Sequence, residues 1–336
     1  MRKKIIFRAD GNSSTGLGHL YRLLAMFEML DDIFDCVFLT KHDSTNDIIP
    51  RKCCQILIPE NILLNDEPNW IKNSFSPDTH VLILDGYQFC EEYQKKTKTN
   101  GFSLIYIDDL VSQHMYADIV INHSPSFKKR DYLKEPYTNF ALGTSFALLR
   151  ASFLEQAKQQ RKITSIDTVF VCFGGADSFN FSEKVVNALT KSTMINRINV
   201  VLGAASKINE TMLSDKIGDS KVHFFQNLNE LQLLTLMKSC NIAVVPTSTI
   251  LFELLCVQIP IISGYFVTNQ RKAYSNFLEL GCFYGVGDFR TFDFNTLDAI
   301  IYKKFSVTYC SSQLQNQNNC IDGNQKKRIV QLVNEL

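Results

Sequence analysis

The sequence predicts an α/β fold in two domains, each a parallel sheet covered on both faces by helices. Three observations carry that prediction. Short apolar strand-like runs alternate with helical ones almost throughout. The pattern restarts just after a charged, glutamine-rich stretch at 155–161. At 336 residues the chain also exceeds what one hydrophobic core ordinarily supports.

Taken in order, the first half offers strands at 5–7, 36–39, 81–84, 104–107 and 119–121. Its first helix shows in Leu20, Leu23, Leu24, Phe27 and Leu30, an apolar set at helical spacing. The second half offers strands at 168–172, 198–202, 222–225, 242–245 and 259–262. Helices follow most of them, notably at 181–189, 228–239 and 249–255. The polar, Gln/Asn-rich segment 311–319 reads as a loop, and 326–336 as a short amphipathic helix. Domains are therefore expected at 1–155 and 162–336, with the last helix able to pack back on the first domain. Two such domains facing each other would border a cleft with the carboxyl ends of their strands, where open α/β sheets bind ligands.

A net charge of +1, with Lys and Arg not gathered in one stripe, excludes an electrostatic nucleic-acid footprint. No apolar run approaches the roughly 18 residues of a membrane span, and the start Met1-Arg2-Lys3-Lys4 leads into a strand. The ten cysteines are scattered, mostly in apolar segments (Cys36, Cys172, Cys240, Cys256), without Cys-x-x-Cys or zinc spacing. They read as reduced thiols of a cytoplasmic protein. No metal, cofactor, nucleic acid or membrane is expected as a partner, and a monomer is the default.

The segment from Phe7-Arg8-Ala9-Asp10 through Gly16-Leu17-Gly18-His19 to Arg22 says most about chemistry. A strand, a glycine-bearing turn and a helix start place backbone N–H groups and a positive dipole end together. His19 adds a proton-transfer group beside that anion cradle, which suits a phosphate-activated substrate. The absence of a third glycine excludes a clean dinucleotide fingerprint. Arg8 and Asp10, at the exit of the strand, are either an ion pair bracing the loop or ligand contacts. Arg22 shares a helix face with His19. His123, beside Asn122 at a strand end, is a candidate for the cleft; His42, His80, His114 and His223 read as structural. In the second half, Cys172-Phe173-Gly174-Gly175-Ala176-Asp177 is again a strand entering paired glycines, where backbone amides can approach a diphosphate. Glu253 stands on an otherwise apolar helix, where a carboxylate can grip ribose hydroxyls. Thr268-Asn269-Gln270 opens another helix, with an Asn cap as the ordinary reading.

Together these segments, with Asp85-Gly86-Tyr87 and the run from Gly143 to Arg150, resemble the UDP-2,4-diacetamido-2,4,6-trideoxy-β-L-altropyranose hydrolases of pseudaminic acid biosynthesis. The resemblance spans most of the chain in the right order. It implies a GT-B architecture, two Rossmann-like domains across a cleft, similar to glycosyltransferases such as the lipid II synthase. It implies His19 as the catalytic histidine and a UDP-sugar as the substrate. First-domain contacts to the sugar would come from Tyr87 and Asn122, with Arg8, Asp10, Gly16, Gly18, Arg22 and Asp85 in the same binding set. Gly174, Gly175 and Asp177 would face the diphosphate, Glu253 the ribose, and Asn269 with Gln270 would close the site. UDP is already a stable anion, so water activated by one histidine suffices for expulsion, and one-step displacement inverts the anomeric centre. There is no Asp-x-Asp motif for a bridging cation; Asp108 and Asp109 are adjacent.

Overall fold

The computed structural model describes residues 3–12, 16–174, 177–203 and 220–336. Its contacts divide the chain into two compact units, Met1–Ala151 with Asn324–Leu336, and Ser152–Gly323. The stretch 155–161 lies inside the second unit.

The first unit is built on β1 (Lys4–Arg8), β2 (Asp35–Thr40), β3 (Cys54–Leu57), β4 (His80–Asp85), β5 (Ser103–Ile107), β6 (Ile119–Asn122) and β7 (Asn139–Leu142). They pair in the order β3-β2-β1-β4-β5-β6-β7, every pair parallel. Buried Ile6, Leu82, Leu84, Leu104 and Val120 form a core with Phe89, Tyr93 and Phe102 on one face. Helices α2 (Glu67–Ser74) and α3 (Glu91–Thr99) pack against each other. Helix α1 (Gly18–Leu30) buries Leu20, Leu23, Leu24, Met26 and Phe27. Phe27 meets Phe7 of β1 edge-on at 5.8 Å, and Phe7 stacks on Phe38 of β2 at 6.2 Å. Among the described residues no side chain caps the start of α1, whose cap position is Leu17. A cap is worth about 1 kcal/mol, whereas each buried large apolar side chain contributes roughly 1.5–3, so packing fixes this helix and leaves its N-terminus open.

The second unit opens with α4 (Ala151–Ala157) and carries β8 (Thr168–Val171), β9 (Arg197–Leu202), β10 (Val222–Gln226), β11 (Ile242–Pro246), β12 (Ile261–Tyr265) and β13 (Tyr284–Asp288). Their order is β10-β9-β8-β11-β12-β13, again wholly parallel. Between them run α5 (Phe181–Leu189), α6 (Glu230–Ser239), α7 (Thr249–Val257) and α8 (Thr268–Glu279), and α9 (Leu297–Lys304) follows β13. Phe173, Phe181, Phe289 and Phe294 form an aromatic cluster in this unit.

One expectation is corrected. Residues 311–319 are not a loop but most of α10 (Val307–Cys320). The reading failed because glutamines occupy core positions. Gln313 accepts from Ile261 N at 2.9 Å, and Gln317 donates to the carbonyls of Ile259 and Cys282 at 2.8 and 2.9 Å. These side chains satisfy buried backbone at the sheet end, a task no apolar residue performs. The last helix, α11 (Gln325–Asn334), belongs to the first unit. Lys3 Nζ donates to the carbonyls of Val333 and Asn334, and Lys326 pairs with Asp32 at 2.7 Å. Among the described residues no helix is long and apolar enough to cross a membrane.

Candidate functional site

In each sheet the strand order reverses once, and ligands of open α/β sheets bind at such points, beyond the carboxyl ends of the strands. In the first unit the reversal lies between β1 and β4. The segments leaving those two strands carry His19 and Arg22 on one side, Asp85 and Tyr87 on the other.

The loop after β1 is held by charge. Arg8 is fully buried; its Nε donates to Glu67 Oε1 at 2.6 Å, and its Nη2 pairs with Asp10 Oδ2 at 2.6 Å. Tyr93 adds a hydrogen bond to the same Glu67 carboxylate at 2.7 Å. Asp10 Oδ1 accepts from Lys41 N, Thr40 Oγ1 and Ser44 Oγ, which ties the loop to the end of β2. Burial alone would raise the Asp10 carboxyl; the Arg8 charge and these hydrogen bonds hold it below the usual range. Gly16 takes φ +87°, a left-handed value that other residues adopt only under strain, and its N–H returns to Asn12 O at 2.8 Å. Arg8 is thus the brace of the two readings the sequence left open. It has no exposed surface, and among the described residues its Nη1 is buried without a hydrogen-bond partner.

On α1, His19 Nδ1 lies 2.7 Å from Asp85 Oδ1. Arg22 donates to the same carboxylate through Nε at 2.7 Å and Nη2 at 2.6 Å. Asp85 is fully buried. Burial would raise its carboxyl, but the Arg22 charge, with hydrogen bonds from Arg22 and His19, holds it below the usual carboxylate range. An ionised carboxylate only accepts, so the His19 proton is assigned to Nδ1, which leaves Nε2 as the acceptor a base needs. Arg22 also reaches Asp109 Oδ2 through Nη1 at 3.0 Å. The Tyr87 ring, largely exposed, stands edge-on to the His19 ring at 4.6 Å between centroids.

Asn122, like Arg8, is engaged within the protein. It is fully buried, donating to Tyr132 Oη at 2.9 Å and accepting from Ser124 N at 3.0 Å, so it shapes the loop after β6. Beside it, His123 feels the charges of Arg22, Asp109 and Asp85, and burial with the Arg22 charge pushes it down to about 4. Sequence reasoning missed Glu67 and Asp109. Nothing marks Glu67 as the partner of a residue 59 positions away, whereas Asp109 follows the carboxyl end of β5 and was open to the same strand-end reasoning as Asp85.

In the second unit the reversal lies between β8 and β11. Gly174, at φ +82°, leads the chain out of β8; Gly175 lies outside the described residues. Asp177 is engaged locally, accepting from Phe181 N and Ser182 N at 2.9 Å each, so it caps α5. Neighbouring α7 and α8 follow β11 and β12, and among the described residues neither start carries a side-chain cap or an acidic residue in its first turn. The cap position of α8 is Val267, so Asn269 is not the cap; it is exposed in the first turn. Gln270 accepts from Phe266 N at 3.1 Å. Glu253 is buried on α7. Two open helix N-termini beside a glycine turn form an arrangement that favours anions. Among the described residues no group of three or more His, Cys, Asp or Glu side chains is placed to hold a metal ion.

No family model matches the chain. An uncharacterized protein of Methanocaldococcus jannaschii is 27% identical over 292 residues, 82% of this chain; the chain spans only 58% of that relative. Spore coat polysaccharide biosynthesis protein SpsG of Bacillus subtilis is 23% identical over 284 residues, 83% of this chain and 82% of that protein. Among solved structures, Acinetobacter baumannii MurG aligns with a TM-score of 0.69 at 9% identity, covering 99% of this chain and 100% of that one. Anabaena HepE in complex with UDP-glucose aligns at 0.63 and 11% identity, with coverage of 99% and 100%. At such identities these two establish the fold alone, the paired Rossmann-like domains of the GT-B class. The chain resembles, at 28% identity over 275 residues, 80% of its own length and 94% of the other's, the UDP-2,4-diacetamido-2,4,6-trideoxy-β-L-altropyranose hydrolase of Campylobacter jejuni.

Proposed function

We propose that this protein hydrolyses a UDP-linked 2,4-diacetamido-2,4,6-trideoxyhexose, with the β-L-altropyranose as first candidate, on the way to pseudaminic acid. The observation that carries the reading is the His19–Asp85–Arg22 cluster at the sheet reversal of the first unit. A histidine whose Nδ1 is committed to a buried carboxylate presents Nε2 as a general base, a device that typically supplies about 100- to 10,000-fold. Water oxygen bonds to the sugar's C1, its proton passes to His19, and the C1–O bond breaks with its electron pair leaving on UDP. A single displacement inverts C1.

The diphosphate is assigned to the second unit, at Gly174 and Gly175 and the open starts of α7 and α8, where N–H groups and helix dipoles spread its charge. Glu253 is assigned to the ribose, and Asn269 with Gln270 to the phosphate and sugar. The C. jejuni relative, by its name, hydrolyses such a sugar nucleotide, and the HepE structures hold UDP-glucose or UDP, which supports a UDP-sugar as the ligand class. The glycosyltransferase fold also favours a second reading, transfer of the sugar to an acceptor hydroxyl. One experiment separates them. The protein is incubated in 18O-water with a panel of UDP-linked diacetamido-trideoxyhexoses and no acceptor. Stoichiometric UDP release, label in the free sugar only, and inverted C1 by NMR of fresh mixtures support hydrolysis. No release without an acceptor would point to the transferase, and a retained anomer would remove the one-step route.

A further inference from the structure

Beyond the cluster of His19, Asp85 and Arg22, the contacts continue into a closed circuit. Arg22 Nη1 donates to Asp109 Oδ2 at 3.0 Å, and the Tyr87 hydroxyl reaches the same oxygen at 3.4 Å. The Tyr87 ring then returns edge-on to His19 at 4.6 Å. Three separate segments contribute: α1 gives His19 and Arg22, the end of β4 and the turn after it give Asp85 and Tyr87, and the turn after β5 gives Asp109.

Charge within the circuit makes Asp109 informative. Asp85 already balances the Arg22 guanidinium, which it grips with both oxygens. Asp109 therefore adds a second negative charge to a site that is neutral without it, and a surplus charge in partly buried surroundings is costly. Among the described residues its other oxygen, Oδ1, is buried without a hydrogen-bond partner. What the carboxylate contributes lies in Oδ2, which joins the guanidinium to the phenol. Burial, then the Asp109 charge, pushes the Tyr87 phenol up to about 12, so the hydroxyl stays a donor across the working pH range. Tyr87 is 56% exposed, and this hydroxyl contact ties the far end of its ring to Asp109.

We infer that Asp109 is a positioning residue of the site: it anchors the Tyr87 hydroxyl and the outer edge of Arg22, and so holds the Tyr87 ring against His19. It acts through these two residues and touches no reacting atom. The kinetic part of the test rests on the hydrolase reading; the spectroscopic part does not.

The test uses the full chain and the variants Asp109→Ala, Asp109→Asn, Tyr87→Phe and Asp109→Ala/Tyr87→Phe, with ring-15N histidine labelling. Misplacing a catalytic group by an ångström can cost about 100-fold, so Asp109→Ala is expected to lower kcat roughly 10- to 100-fold with little change in KM. The double variant should be no slower than the slower single one, because both changes cut the same link. Asp109→Asn, which keeps an oxygen for the phenol, should recover part of the rate. In the absence of substrate, the His19 resonances should shift in the same direction in Asp109→Ala and Tyr87→Phe, since the ring edge-on to the imidazole is released in both. A kcat within about twofold of wild type for Asp109→Ala, or losses that multiply in the double variant, would overturn the inference. Unmoved His19 resonances would overturn it whether or not the protein turns over any UDP-sugar. Turnover absent in the wild type, with those resonances shifting as expected, would instead remove the hydrolase reading and leave the circuit in place. Should Asp109→Ala fail to fold, Asp109→Asn and Tyr87→Phe carry the same comparison.

Discussion

Asp85 serves two neighbours with one buried carboxylate, and that sharing makes it the residue whose loss should be most revealing. Asp85→Asn keeps the shape but is expected to disorder the His19 proton assignment, because an amide can donate to Nδ1 and pull its proton to Nε2. UDP release should fall by roughly 100- to 10,000-fold while UDP affinity, measured by calorimetry, stays within about threefold. Glu67 makes a contrasting case, since its role is to compensate Arg8. Removing one partner of a buried ion pair costs about 3–5 kcal/mol, and with Asp10 still facing Arg8 the lower end applies to Glu67→Ala, measurable by urea denaturation. His123 brings a pH signature. Its folded value, about 4, lies below its ordinary 6.5, so between those values the unfolded chain binds the extra proton. Stability linked to His123 is complete above pH 6.5 and drains as pH falls toward 4. Asp10 and Asp85, held low, lose theirs in the same direction as acid protonates them. His123→Gln should therefore show a smaller loss of denaturation midpoint between pH 7 and pH 4.5 than the wild-type chain.

At the scale of elements, the sequence was informative wherever apolar residues kept a clean period. The strands that meet at each sheet reversal, β1 with β4 and β8 with β11, are nearly continuous apolar runs, as buried parallel strands should be. Edge strands were harder. In β3, Cys54 and Leu57 are exposed and no alternation survives, while β13 is interrupted by Gly285 and Gly287. Helix α10 escaped because Gln313 and Gln317 stand where a period search looks for leucine. The cluster was legible to the extent that it follows strand ends: His19, Arg22, Asp85 and Tyr87 stand at or just beyond the ends of β1 and β4 and lie together. Which named residues are engaged within the protein was not legible, since Arg8, Asn122 and Asp177 differ from the others only in three-dimensional partners. Asp177 illustrates the consequence. As the cap of α5, its replacement by Ala should cost about 1 kcal/mol in thermal or urea unfolding, while Asp177→Ser or Asn restores most of it.

Across the whole molecule the two units differ in how the chain builds them. The second is one continuous segment, Ser152–Gly323, whereas the first needs α11 from the far end of the chain. Ile329 and Val333 of that helix are fully buried, and its polar side chains reach Thr144 O and Ser145 O. Deleting 324–336 is therefore expected to lower hydrogen-exchange protection in α1 and β1 while the strands β8 to β13 keep theirs. Loss of protection in both units together would show that the two fold as one.

The central claim is that the His19 imidazole delivers water to the sugar's C1. Acceptor-free UDP release by His19→Asn, measured beside wild type with UDP affinity determined on the same samples, tests it most directly. The account predicts kcat reduced by roughly 100-fold or more with UDP binding preserved. Turnover at the wild-type rate would contradict it.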